Sequence, residues 1–276
     1  MPFTNNGKIV YTKFYEIWDK LCNILILDVS LIKKIEEFFN GTQNVYDMNV
    51  LVIGAHPDDE SIGAGATIAK HVEKGDSVFI ALFSVGHKPI QPKLKTQAYE
   101  MLKVFGINKK NIFWLNCKSG NFMSEDQLKV NAELTNIISK IKPKIVYTHY
   151  YGDTHQDHIF VFHSTMVACR PIHFPRGINE KDIWTGVEKI LCYEIHSSSN
   201  WSGRLDKPFD PTEYNIISSK HLKSKLDAYA CYKKEVRPGD HPRSLDSLKT
   251  LAKFRGNSVG RPYAEAFVVI RHISND

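Results

Sequence analysis

The stretch AHPDDE at residues 55–60 puts one imidazole and three carboxylic acids, His56, Asp58, Asp59 and Glu60, within five consecutive positions. A second cluster, HQDH at 155–158, supplies His155, Asp157 and His158. Imidazoles and carboxylates are the ligands of zinc-type ions and the groups that move protons near neutral pH. If the clusters meet, two histidines and one carboxylate could hold a divalent ion and leave positions open for water and substrate. Another carboxylate could then take a proton from water, and a second imidazole could protonate a leaving amine. Taken alone, the first stretch reads equally well as acidic residues capping a helix, where free N–H groups favour anions. The second cluster tips the reading towards metal-assisted hydrolysis, because His155 and His158 at i and i+3 share a helix face.

Both clusters need a frame that brings them together. From residue 48, short β-branched runs alternate with helical patterns: MNVLVIG, SVFIALFS, NIFWLN and KIVYTHY read as strands. Between them, helices are expected from about Ser61 to Lys74, from Lys93 to Phe105 and from Ser124 to Lys140. The last would open on a Ser124/Gln127 capping box, and Thr154 would cap the helix carrying the second cluster. Such alternation predicts an α/β, Rossmann-like, mostly parallel sheet with helices on both faces. In such a sheet ligands gather at the carboxyl ends of the strands, which is where both clusters fall. KILCYEIHS and EAFVVIRHI read as later strands, with helical patterns in SSKHLKSKLDAYACYKKE and SLDSLKTLAKFRG.

With 276 residues, 42% hydrophobic and 24% charged, the chain has ample material for a buried core. A single domain is expected, with a helical extension over 1–45 and an α/β catalytic core over 48–276. The net charge of +6 is spread out with no basic run, so no nucleic-acid partner is expected. Five scattered cysteines without a C-x-x-C pair argue against a disulfide framework. No signal-peptide pattern and no apolar run of about 20 residues is seen, so a cytoplasmic protein without a membrane span is expected. Pairing into a homo-oligomer stays open.

At AHPDDE and HQDH the sequence resembles the LmbE-like, or PIG-L, family of metal-dependent N-deacetylases, which carry A-H-P-D-D-E after the first strand and H-x-D-H later. The likeness runs through KIVYTHYYGDTHQDH and, more loosely, HPRSLDSLKTLAKFRGNSVGRPYAEAF. It implies that His56, Asp59 and His158 bind Zn2+, or another divalent ion such as Fe2+. Asp58 would be the general base and His155 the electrophile or general acid, with Asp157 orienting and charge-stabilising His155. Glu60 would support the turn. The implied substrate is a small-molecule N-acetyl amino sugar conjugate, usually of N-acetylglucosamine, cleaved to acetate and a free amine. The sequence departs from many relatives at FSVGHKP, where they carry a threonine and a glycine-rich segment with arginine, and at Asp153, where some have tyrosine.

Candidate substrate contacts are His87 at the end of the second strand, His196 and Trp201 after the fifth, and Arg237 and His241 in RPGDHPRS, where Arg243 also stands. Each could equally be an ordinary loop residue or, for Trp201, a simple packing anchor. His149, Tyr150 and Tyr151 either line the pocket or fill the core. Gly63 and Gly65 form no dinucleotide fingerprint and are read as points of close packing. Two other functions stand beside the deacetylase: a different metallohydrolase, such as a phosphoesterase or non-sugar amidase, and a silent binding module. The intact ligand set speaks against the last.

Overall fold

The structure, a computed structural model, describes residues 48–86, 91–171, 186–201 and 207–274. The chain divides into two compact units, residues 1–46 and 47–276. The expected N-terminal helical extension lies outside the described residues, as does His87.

The second unit is a seven-stranded sheet in the order β3-β2-β1-β4-β5-β7-β6. β1 (Asn49–Gly54), β2 (Ser77–Ser84), β3 (Ile112–Cys117), β4 (Ile145–His149) and β5 (Lys189–Tyr193) are parallel; β7 (Ala264–His272) runs antiparallel to β5 and to β6 (Glu213–Ile216). The sequence reading missed β6: EYNI is a four-residue edge strand of half-buried positions, too short to show a period. The helices are α1 (Asp59–Glu73), α2 (Gln91–Phe105), α3 (Gln127–Ile141), α4 (Gln156–Ala168), α5 (Ser219–Ala230) and α6 (Leu245–Asn257). None of the described helices is long and apolar enough to cross a membrane.

Side chains alternate across each strand, and β1 shows the consequence. Val50 and Val52 join the core beneath α1, α2 and α5, while Leu51 and Ile53 join the core beneath α3 and α4. A strand apolar on both faces must be central, and β1 is flanked by β2 and β4. Because the chain runs outward from β1 to β3 and then returns to place β4 on β1's other side, the carboxyl ends of β1 and β4 form the switch point of the sheet.

Two caps differ from the sequence reading. Asp126, not Ser124, caps α3 by accepting from Leu128 N and Lys129 N; Ser124 closes a short 3-10 turn. His155, not Thr154, caps α4, its Nδ1 accepting from Asp157 N. Thr154 instead donates to the Ser198 carbonyl. In both cases several polar residues compete for one cap, and the tertiary neighbours decide.

α1 is kinked at Ala64. A kink frees backbone N–H groups, and Glu265 of β7 accepts them from Ala66 (3.1 Å) and Thr67 (2.6 Å), together with Lys225 Nζ of α5 (2.6 Å). Gly65 lets α5 approach, since a Cβ there would lie 2.9 Å from Lys225 Cγ. Gly63 does the same for β5: a Cβ would lie 2.1 Å from Tyr193 Cδ2. Tyr193 cannot give way, being fully buried with its hydroxyl donating to the Ile53 carbonyl at 2.6 Å. Gly63→Ala is therefore expected to cost about 1–3 kcal/mol from overpacking. Urea unfolding should show most of that penalty vanish when the same change is made in a Tyr193→Ala background.

Candidate active site

β1 ends at Gly54 and its last turn carries the first cluster into α1. Asp58 makes the corner with φ at 129°, a conformation that costs a non-glycine residue about 1–3 kcal/mol. Its carbonyl accepts from Ser61 N (3.0 Å) and Ile62 N (2.9 Å), which starts the helix.

The three acids are all buried and each has a different partner set. Glu60 is a brace: Oε1 accepts from Ser61 Oγ (2.8 Å) and Tyr232 OH (2.9 Å), and Oε2 from Asp58 N (3.2 Å). Burial, set against these hydrogen bonds, pushes its carboxyl up to about 7. Asp58 meets Arg243, whose Nη1 lies 3.2 Å from Oδ2. Burial, with Asp59 adjacent, raises the Asp58 carboxyl well above the usual range, and Arg243 opposes the rise. Asp59 faces the imidazoles. Its Oδ2 accepts from His56 N (2.8 Å) and lies 3.5 Å from His56 Nδ1, while Oδ1 stands 3.7 Å from His158 Nε2.

The loop from β4 into α4 brings the second cluster alongside. His155 and His158 stack at 4.5 Å, and His56 lies 5.1 Å from His155 and 5.8 Å from His158, ring to ring. The Asp157 charge favours a protonated His155 ring, but the Asp157 side chain does not bond that ring as orienting it would require. Its carboxylate takes His56 Nε2 (3.0 Å) and the N–H groups of Gly120 (2.6 Å) and Phe122 (3.2 Å), so it ties the first cluster to the loop after β3. The reason is helical geometry: at the second position of α4, Asp157 projects away from the ring that caps that helix, and only its backbone N–H reaches His155. That bond occupies His155 Nδ1, so the proton of the neutral ring is on Nε2.

Two residues that the sequence reading names without a role complete the site. Asp153 Oδ2 lies 3.2 Å from His158 Nδ1, a close electrostatic contact though poorly aligned as a hydrogen bond. It also accepts from Ser198 Oγ (2.9 Å) and Ser199 Oγ (2.6 Å), which fix it. His149 stacks flat on His158 at 3.9 Å, with its Nε2 accepting from Ala55 N at 2.9 Å. Its position at the last residue of β4, on the strand paired with β1, was the available signal. Tyr150 is core instead, its hydroxyl donating to the Pro208 carbonyl.

These contacts decide which atoms can hold a cation. With Asp153 beside Nδ1 and burial lowering the ring to about 4, His158 is neutral and its Nε2 presents a lone pair. That lone pair faces the carboxylate oxygen Asp59 Oδ1; both are buried and neither has a hydrogen-bond partner. Two acceptors facing each other without a proton between them are tenable when a cation sits there. His56 adds Nδ1, its other nitrogen being held by Asp157, the carboxylate–histidine pairing typical of metal ligands. His56, Asp59 and His158 thus fit a divalent ion. His56, Asp59 and His158 combine members of the two trios whose ligand atoms, among the described residues, all lie close enough to share one ion, His56/His155/His158 and Asp59/His149/His158. Each draws on a ring with one nitrogen already engaged, Nδ1 of His155 by Asp157 N and Nε2 of His149 by Ala55 N.

The peripheral candidates separate. Arg243 is the residue of RPGDHPRS that enters the site, bonding Asp58, Glu235 (3.1 Å) and Ser197 (3.2 Å). Arg237 and His241 are exposed, and His241 Nδ1 only accepts from Arg243 N. His196 pairs with Asn200 at 3.0 Å beside α6. Trp201 is 81% exposed, so it is no packing anchor.

Known proteins share this architecture. Residues 51–169 match the family profile described as PIG-L, GlcNAc-PI de-N-acetylase. The uncharacterized deacetylase YaiS of Escherichia coli (strain K12) is 27% identical over 139 residues, 49% of this chain and 75% of that protein. The mycothiol S-conjugate amidase of Streptomyces coelicolor is 27% identical over 175 residues, 53% of this chain and 60% of that protein. Among solved structures, the conserved protein TT1542 of Thermus thermophilus superimposes with a TM-score of 0.66 at 21% identity, covering 83% of this chain and 97% of that one. GalB, the 4-carboxy-2-hydroxymuconate hydratase of Pseudomonas putida KT2440, does so at 0.63 and 17%, covering 83% and 98%. A fold shared with a hydratase fixes architecture, not reaction. Residues 51–169, which carry the paired AHPDDE and HQDH motifs, are thus similar to the PIG-L family of de-N-acetylases.

Proposed function

We propose that the protein is a zinc-dependent hydrolase that removes the N-acetyl group from an N-acetylglucosamine-type amino sugar or its glycoside. The observation that carries this reading is the pair of opposed lone pairs, Asp59 Oδ1 and His158 Nε2, beside a buried carboxyl, Asp58, that is not needed as a ligand. The deacetylase and amidase names of the relatives, and the family's description, support the choice of an amide as the bond cleaved.

His56, Asp59 and His158 would hold the ion. When bound, it supplies Lewis acidity, which lowers the pKa of water and polarises an acyl oxygen. The chain's own groups do the rest. Asp58 takes a proton from the attacking water, its basicity raised by burial and its carboxylate aimed by Arg243. His155 presents Nε2–H to the acyl oxygen and stabilises charge developing there. As the C–N bond breaks, the proton that Asp58 took is passed to the departing amine, leaving acetate and the free amino sugar. Asp157 and Asp153 act through His56 and His158, keeping each ring turned to the centre.

Asp58→Asn should retain its metal by elemental analysis and lose about 10²–10⁴-fold in acetate release, the usual worth of a general base. A variant that stays active would remove Asp58 from the role. His56 makes a second prediction. In chelated protein burial lowers its basicity, but Asp157 and Asp59 outweigh that and push it up to about 10, against 6.5 for an ordinary histidine. A raised folded-state value stabilises the fold fully below pH 6.5, and the benefit is lost as pH rises through 10. Urea midpoints of the chelated protein should therefore fall from about pH 6.5 to 10, and His56→Ala should flatten that decline.

A further inference from the structure

Asp58 has its backbone at a φ of 129°, so it keeps its direction only while neighbours hold it from several sides. Its carbonyl is held by the first turn of α1. Its N–H and its carboxylate are held from elsewhere, and both lines of support lead to the end of α5. Tyr229 stands in the last turn of that helix and Tyr232 just past it, both fully buried.

The first line runs through Glu60. Tyr232 OH donates to Glu60 Oε1 at 2.9 Å, and Oε2 of the same carboxyl accepts from Asp58 N at 3.2 Å. A carboxyl group is planar and rigid, so fixing one oxygen fixes the direction of the other. Ser61 Oγ, the other partner of Oε1, belongs to α1 and moves with the turn; Tyr232 ties the turn to a different element. The second line runs through Arg243. Tyr229 OH lies 2.8 Å from the Glu235 carbonyl and 3.1 Å from that of Arg243, its one proton shared between them, which pins both ends of the loop from α5 to α6. Within that loop Arg237 N donates to the Arg243 carbonyl as well. The Arg243 guanidinium so placed meets Glu235 Oε2 at 3.1 Å and Asp58 Oδ2 at 3.2 Å, both through Nη1. A ring that only fills the core needs no hydroxyl, and a buried phenol oxygen is tolerated only with a partner. Both phenols direct theirs to the supports of a single residue.

Resting on the deacetylase reading, we propose that Tyr229 and Tyr232 are positioning residues for the reaction: Tyr232 sets the Asp58 backbone through Glu60, and Tyr229 sets its carboxylate through Arg243. The test removes each hydroxyl and keeps the ring. In the full, metal-loaded chain, Tyr229→Phe and Tyr232→Phe should each lower kcat for acetate release from the methyl glycoside of N-acetylglucosamine about tenfold, the rate equivalent of one buried hydrogen bond. KM and metal content should stay unchanged. In an Asp58→Asn background neither change should lower the residual kcat further, since both act through that carboxylate. An unchanged kcat, or an equal loss in the Asp58→Asn background, would overturn the proposal. A second readout needs no turnover. By NMR, Tyr232→Phe should speed hydrogen exchange at the Asp58 N–H about tenfold, and Tyr229→Phe should do the same at the Arg243 Nε–H. If the wild type hydrolyses no N-acetyl sugar but both exchange rates rise, the positioning stands and the deacetylase reading fails. If the rates do not change, the positioning fails whatever the enzyme hydrolyses.

Discussion

The site depends on one unfavourable arrangement: a fully buried carboxylate oxygen, Asp59 Oδ1, facing the lone pair of a buried neutral imidazole, His158 Nε2. Leaving a charged acceptor unsatisfied away from water costs on the order of 1–3 kcal/mol or more. A fold keeps such a defect when something outside the chain relieves it, and a divalent cation relieves both atoms at once. The parallel sheet supplies the place, because β1 and β4 end side by side at its switch point.

Around that defect, one nitrogen of each histidine is already committed. Asp157 holds His56 Nε2, Asp153 stands at His158 Nδ1, a backbone N–H occupies His155 Nδ1, and another occupies His149 Nε2. Four imidazoles in a small volume could adopt many tautomers; these contacts select one. The remaining acids divide the other tasks, with Glu60 bracing the turn through Tyr232 and Asp58 turned towards Arg243. Three adjacent acids are thus neither redundant nor interchangeable.

Much of this was legible beforehand. The strand and helix periods located β1 to β5 and the helices between them, and local spacing put His56, Asp59 and His158 at strand ends. What stayed hidden depends on contacts far apart in sequence. Arg243 reaches Asp58 across 185 residues, and nothing in RPGDHPRS marks it over Arg237 or His241. Asp153 looked like a departure from a tyrosine pattern, yet its value comes from Ser198 and Ser199 on another loop. Asp157 was assigned to its sequence neighbour His155, whereas a helix start directs that side chain to His56 and the loop after β3. β6 was missed because four half-buried residues carry no period, and its place beside β7 is tertiary.

The most direct measurement is the metal content of purified wild-type protein and of the His158→Ala and His149→Ala variants, by elemental analysis after dialysis against metal-free buffer. One divalent ion per chain in the wild type and in His149→Ala, with loss in His158→Ala, is what the opposed lone pairs require. Retention in His158→Ala, or loss confined to His149→Ala, would contradict it and shift the centre to another set of ligands.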